Sequence, residues 1–268
     1  MAITITLQLT LQTCLSTTVS VRVQIAGVSS LEEAIALERA GADALGFTLR
    51  LPTGMHDQLT EAKARSIIAA LPPFVTSVAI TYVDTARDAV DLCRYLGVGA
   101  LQLHGKFGGR DLELVRAALP HLKLIRVVHV TGPEALAAAR ALERRVDAII
   151  LDTYDAVSGR HGATGKTHDW ELSRRIVAAV GTPVILAGGL TPGNVADAIR
   201  TVHPWGVDVH TGVEDPDGRR NLGKMRAFIE RAKAAATRET ADKTKADNGR
   251  RLTAGDGRTG GNVGSGSL

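Results

Sequence analysis

The sequence predicts one α/β domain, a closed (β/α)8 barrel, on three observations. Short apolar runs alternate with amphipathic stretches from residue 21 to residue 235. Such alternation implies a parallel sheet with right-handed crossovers. A related segment returns four times, as Gly41-Ala-Asp-Ala-Leu-Gly46, Gly97-Val-Gly-Ala-Leu-Gln102, Arg145-Val-Asp-Ala-Ile-Ile150 and Gly206-Val-Asp-Val-His210. Its spacing of about fifty to sixty residues reads as a unit of two βα pairs repeated around a ring. The last two apolar runs, Pro183–Leu190 and Val207–Gly212, stop at glycine. Loops after strands seven and eight of such a barrel commonly cradle phosphate. An open dinucleotide-binding sheet would need GxGxxG after its first strand, and Ala26-Gly27-Val28-Ser29-Ser30 is not one.

Residues 1–20 alternate apolar and polar, with Ile3, Ile5, Leu7, Leu9 and Leu11 on one face. That is a strand period, and it is read as an N-terminal extension: an added edge strand, an association segment, or a poorly ordered extension or start codon placed too early. Strand one is Val21–Ile25. Ser30 and Glu33 have capping-box spacing for a helix to about Ala40, which Gly41 ends. Strand two is Ala44–Leu49, and a helix over Thr60–Leu71 leads to strand three, Val75–Val83. The next helix, Thr85–Leu96, closes at Gly97 and gives way to strand four, Ala100–His104. A helix over Asp111–Leu119 precedes strand five, Lys123–Val128; Thr131 and Glu134 again have capping-box spacing for a helix to about Arg144. Strand six is Ala148–Asp152, followed by a glycine-rich loop at 159–165 and a helix over Asp169–Val180. Strands seven and eight are the two glycine-terminated runs. Thr191 and Pro192 suit the start of the helix between them. A last helix runs from about Leu222 to Ala235. Residues 236–268 are charged, then glycine-rich, with almost no apolar side chains. They cannot bury enough surface to offset ordering, so a disordered tail is expected.

The bulk numbers narrow the function. A chain of 268 residues, 44% hydrophobic and 22% charged, is globular. Only 3% is aromatic and the net charge is +4, without a basic stripe, so nucleic acid is not an expected partner. Cys14 and Cys93 have neither metal-ligand nor disulfide-framework spacing, which suits a reducing cytoplasm. No apolar run has the length of a membrane span, and the first residues lack the features of a signal peptide. The expectation is a cytoplasmic monomer or homodimer with a phosphorylated small-molecule substrate and neither cofactor nor metal.

In a βα barrel the chemistry lies at the C-terminal ends of the strands. Those ends carry Ala26, Arg50, Tyr82, Asp84, His104, His129, Asp152, Gly188, Gly189 and His210-Thr211-Gly212. Asp152 ends an apolar run, and desolvation there raises a carboxyl toward a general acid. The alternative is an Asp that caps the next loop. His104 is either an acid–base group or a packed neutral histidine. Gly188, Gly189, Thr211 and Gly212 are the expected phosphate cup, where N–H groups and helix dipoles converge. Arg50 and His210 are the expected substrate contacts, and Arg126 is expected to pair with a carboxylate near the barrel layers.

These residues carry a resemblance. Gly41–Phe47, Leu101-Gln-Leu-His-Gly105, Ile150-Leu-Asp152, Gly162-Ala-Thr-Gly-Lys-Thr-His-Asp-Trp170, Val184–Leu190 and Gly206–Glu214 together resemble the phosphoribosylanthranilate isomerases of tryptophan biosynthesis, which are TIM barrels. The resemblance covers about Val21 to Arg231 and implies an Amadori rearrangement of a phosphorylated ribosylamine. It also implies that Asp152 is the acid on the furanose oxygen and that Gly188, Gly189 and Gly212 hold phosphate. The chain departs from the family at three places. Gln24-Ile25-Ala26-Gly27 replaces Lys-Ile-Cys-Gly, whose Cys is the base for the sugar C2 proton. The loop Leu51–Asp57 lacks the Arg that holds the anthranilate carboxylate, and His210-Thr211 replaces two serines. Three functions follow: an isomerase whose base has moved to His104, Asp84 or His210; a relative acting on another phosphorylated substrate; or a non-catalytic ligand-binding barrel.

Overall fold

A computed structural model of the chain describes residues 21–52, 59–155, 160–161 and 168–235. The N-terminal extension, the tail, most of the loop Leu51–Asp57 and most of the glycine-rich loop lie outside the described residues. Eight parallel strands close into a barrel. They are β1 (Arg22–Ile25), β2 (Ala44–Leu49), β3 (Thr76–Thr81), β4 (Ala100–Leu103), β5 (Lys123–His129), β6 (Ala148–Asp152), β7 (Val184–Leu186) and β8 (Gly206–Val209). Neighbours in sequence are neighbours in the ring, and β1 pairs with both β2 and β8, so no edge is left open. A two-residue hairpin, Tyr154–Asp155 with Arg160–His161, follows β6. The helices are α1 (Leu31–Arg39), α2 (Glu61–Ala69), α3 (Ala86–Leu96), α4 (Gly109–Ala118), α5 (Glu134–Leu142), α6 (Trp170–Ala179), α7 (Val195–Val202) and α8 (residues 222–235). No described helix is long and apolar enough to cross a membrane.

Strand alternation divides the core in two. Val23, Ile25, Leu45, Phe47, Leu101, Leu103, Leu124, Ile149, Leu151, Val207 and Val209 face outward into the large core shared with the helices. Ala26, Val78, Ile80, Ala100, Ile125, Val127, Ala148, Ile150, Ile185 and Ala187 face inward as a second, smaller core. Each fully buried Ile or Val contributes roughly 1.5–3 kcal/mol. The inward parity continues upward through Ala26, His104, His129, Asp152 and His210, which therefore crown the barrel at its C-terminal end.

The recurrent segment has a physical cause at the opposite end. Asp43, just before β2, accepts the Val23 N–H of β1 at 2.8 Å, and Asp147, just before β6, accepts the Leu124 N–H of β5 at 2.9 Å. Each also holds a cation, Arg22 at 3.2 Å for Asp43 and Arg116 at 3.0 Å for Asp147. The fourth copy is out of register. The backbone bonds made by the N–H groups of Asp43, Gly99 and Asp147 are matched by Trp205, not Asp208. Asp208 is the third residue of β8, and its side chain turns into the barrel.

Helix starts follow their caps, with three differences from the sequence reading. Ser30 accepts from Glu33 N at 3.1 Å and caps α1, while the Glu33 carboxylate reaches Ser29 rather than Ser30. Thr131 spends its hydroxyl on the Glu134 carboxylate at 2.6 Å, and α5 starts after Pro133 with no side-chain cap. Similarly, Thr191 closes a turn to Gly193 N, so α7 begins later, after Asn194.

Candidate active site

The site is built at the C-terminal mouth. Asp152 ends β6, is buried, and accepts the N–H of Thr153 at 2.8 Å. Burial pushes its carboxyl up to about 7, and the neighbouring Asp208 adds to the rise; the Thr153 N–H and a positive charge at His210 oppose it. Tyr82, beyond the end of β3, is raised by burial and by Asp152. A carboxyl that holds its proton near neutral pH is suited to donate it.

His210 follows β8 and lies over the end of β1. Gly27 has φ +78°, and a Cβ there would stand 2.4 Å from His210 Nε2 and 3.0 Å from the Arg220 guanidinium. The glycine after Ala26 therefore makes the space that the imidazole fills. His210 Nε2 is 3.9 Å from Glu214, and Arg220 is held by Glu33 at 3.2 Å and Glu214 at 3.8 Å. The imidazole is thus placed between the end of β1, where Ala26 stands, and a surround of charged groups. A positive charge on it favours the ionised forms of both Asp152 and Asp208.

The glycine turns after β7 and β8 meet one another. Gly188 and Gly189 have φ of +81° and +65°. A Cβ on Gly188 would stand 2.1 Å from Thr153 Oγ1, and one on Gly212 would stand 1.8 Å from the Leu190 carbonyl oxygen. The β8 turn can approach the β7 turn this closely only because residue 212 is glycine. Asn194 fixes the β7 loop by donating to Gly189 O at 3.0 Å and accepting Thr191 N at 2.7 Å. Thr211 and Gly212 form a short 3-10 turn beside it.

Other expected residues are placed elsewhere. Arg50 does not join the mouth: its guanidinium grips Glu61 of α2 at 2.8 and 3.3 Å and donates to Asp88 O of α3 at 3.0 Å. It follows β2 with φ +52°, which carries the side chain out between the helices. Asp84 accepts the Lys106 N–H at 2.7 Å and ties the loop after β4. Arg126 points outward and donates to Leu103 O at 2.7 Å, so its partner is a carbonyl rather than the expected carboxylate. His104 stacks on Tyr82 with ring centroids 4.8 Å apart.

Sequence reasoning missed the polar layer beneath the mouth. Gln24, Gln102 and Asp208 are buried inside the barrel, joined by Gln24 Nε2 to Gln102 Oε1 at 2.8 Å and to Asp208 Oδ1 at 3.1 Å. Burial pushes Asp208 up to about 6 against the Gln24 hydrogen bond and the charges of His210 and Arg220. The available signal was three polar side chains at inward positions of short apolar strands. His168 was also overlooked. It joins Thr153 Oγ1 at 3.2 Å to Ser173 Oγ at 2.7 Å, and burial pushes it down to about 4. Among the described residues no cluster of His, Cys, Asp and Glu is arranged to hold a metal.

Comparison with known proteins agrees with this geometry. Residues 23–231 match the family model described as N-(5'phosphoribosyl)anthranilate (PRA) isomerase. The N-(5'-phosphoribosyl)anthranilate isomerase of Haloferax volcanii is 45% identical over 214 residues, covering 80% of this chain and 94% of the relative. The crystal structure of phosphoribosyl anthranilate isomerase from Thermotoga maritima superposes with a TM-score of 0.69 at 33% identity, over 80% of this chain and 99% of that one. A structure of a phosphoribosyl anthranilate isomerase in complex with reduced 1-(o-carboxyphenylamino)-1-deoxyribulose 5-phosphate has a TM-score of 0.66 at 31% identity, over 80% of this chain and 99% of that one. A barrel closed in sequence order, a buried acid at the end of β6 and interlocked glycine turns after β7 and β8 accompany this match over most of the chain: the protein belongs to the N-(5'-phosphoribosyl)anthranilate isomerase family.

Proposed function

We propose that the protein isomerises N-(5'-phosphoribosyl)anthranilate by an Amadori rearrangement, with Asp152 as general acid and His210 as general base. Asp152 gives its proton to the furanose oxygen. The C1–O bond breaks, and the electron pair on the amine nitrogen forms the C1=N bond. Neutral His210 then takes the C2 proton, C1 and C2 become doubly bonded, and the enolamine tautomerises to the 2-ketose. The phosphate is held by the backbone at Gly188, Gly189, Thr211 and Gly212, with the positive end of α7 behind it. The observation that carries this reading is the placement of His210 over Gly27, the residue that follows Ala26 at the end of β1. Only proton transfers are involved, so no cofactor is needed. The substrate alone is the expected partner, and the chain acts as a monomer or homodimer. We place it in the cytoplasm, where a buried free thiol such as Cys93 stays reduced.

One observation favours a second reading, a phosphorylated substrate without the carboxylate: Arg50 is committed to Glu61 and Asp88 and supplies no clamp at the mouth. The test is turnover of substrate carrying deuterium at C2. A primary isotope effect in the unmodified enzyme, and a fall of about 10²–10⁴-fold in His210→Ala, support His210 as base. Full turnover in His210→Ala excludes it.

A further inference from the structure

We propose that Gln24 and Asp208 are positioning residues that fix the His104 ring as its neutral tautomer with the proton on Nδ1. The geometry is a ladder of buried side chains crossing the barrel from β8 through β1 to β4. Asp208 Oδ1 lies 3.1 Å from Gln24 Nε2, the same Nε2 lies 2.8 Å from Gln102 Oε1, and Gln102 Nε2 lies 3.0 Å from His104 Nε2. Gln24 and Asp208 are direct partners in the β1–β8 register, so the first rung is built into the backbone. Stacking on Tyr82 at an interplanar angle of 29° sets the plane of the ring at the other end.

The direction of every rung follows from one end. Above its pKa Asp208 is a carboxylate and can only accept. Gln24 must therefore turn its amide N–H2 toward Asp208, and the second proton of that group points at Gln102. Gln102 meets it with its oxygen, which leaves only its own N–H2 to face His104. A donor at 3.0 Å from His104 Nε2 requires a lone pair there, so the ring proton belongs on Nδ1. Neither amide can flip alone. Reversing Gln102 would set two donors face to face on one side, and two acceptors on the other if Nε2 keeps its lone pair. A mismatch of this kind in a buried site costs about 1–3 kcal/mol.

The consequence reaches the chemistry. With Nε2 occupied as an acceptor, His104 does not take a substrate proton through that atom. Its N–H is then on Nδ1, a buried atom, and the C2 proton falls to another group. The proposal rests on the ladder alone and stands or falls separately from the assignment of His210.

Ring-¹⁵N histidine labelling of the full chain tests it, read at pH 8 by two-bond ¹H–¹⁵N correlation, with His104→Phe identifying the His104 signals among the 8 histidines. The expected result is a protonated Nδ1 and an unprotonated Nε2. In Gln24→Glu the side chain offers Gln102 only an acceptor, Gln102 turns over, and the His104 proton moves to Nε2. Gln102→Glu presents a carboxylate directly and serves where Gln24→Glu fails to fold; it too places a proton on Nε2. A protonated Nε2 in the unmodified protein overturns the proposal, as does an unchanged tautomer in either variant once folded.

Discussion

Replacing Asp152 by Asn should make the protein more stable while it destroys turnover. Burial carries this carboxyl from its ordinary 3.8 to about 7. A rise of roughly three is worth about 4 kcal/mol at about 1.4 kcal/mol per unit. The sign follows from proton counting. Between pH 3.8 and about 7 the folded state holds the Asp152 proton and the unfolded state has lost it, so stability falls as pH rises through this window and is level above it. Asn keeps an oxygen for the Thr153 N–H but brings a new N–H edge whose pairing costs about 1 kcal/mol if imperfect. The net expectation at pH 8 is a gain of about 1–3 kcal/mol, or roughly 2–12 °C in Tm for a chain of this size. At pH 5 the same difference shrinks to below about 1 kcal/mol. Thermal unfolding of both proteins at the two pH values measures it, and the same samples report a loss of turnover of about 10²–10⁴-fold. A variant that is destabilised equally at pH 5 and pH 8 refutes the account of Asp152 as a desolvated acid.

The other predictions follow from named contacts. Inorganic phosphate should raise the Tm of the unmodified protein, and Gly212→Ala should abolish that rise, because the new Cβ collides with the Leu190 carbonyl oxygen; calorimetric titration with phosphate checks the affinity directly. In the His210→Ala background Ala26→Cys should recover part of the lost activity by placing a thiol at the end of β1, whereas in the unmodified chain it should gain little; kcat/KM for the two pairs decides this. The kcat/KM of the unmodified enzyme should fall as pH rises through about 7, where Asp152 loses its proton, and this limb should be missing in Asp152→Asn. Asp84→Ala should loosen the loop after β4 at a cost of about 1 kcal/mol and leave the pH profile unmoved, since Asp84 is bonded to the Lys106 backbone.

The fold was legible because it depends on period and punctuation. Apolar runs, glycines and helix formers placed β2 and β6 at the bounds the structure gives, Ala44–Leu49 and Ala148–Asp152. The end of β6 likewise pointed to Asp152, since a carboxyl closing an apolar run has few other places to go. What could not be read is the direction of a side chain when two physical roles share one local pattern. Val-Asp-Val at 207–209 looks like Val-Asp-Ala at 146–148, yet Asp147 staples the outside of the barrel and Asp208 lies within it; one offset in strand start separates them. Arg50 ends a strand and so appeared to face the mouth, but a left-handed backbone at that residue delivers it to Glu61 instead. His210 showed as a strand-end substrate contact and as one of three candidates for the base, but its position over Gly27 could not be read, because it depends on the pairing of β1 with β8, a contact between the first and last strands of the ring.

The most direct measurement is the rate at which the purified protein consumes phosphoribosylanthranilate, followed by substrate fluorescence, with the unmodified chain and His210→Ala compared under identical conditions. The account predicts turnover by the unmodified protein despite Ala26, and a fall of about 10²–10⁴-fold when the imidazole is removed. No turnover by a folded, phosphate-binding unmodified protein would contradict it.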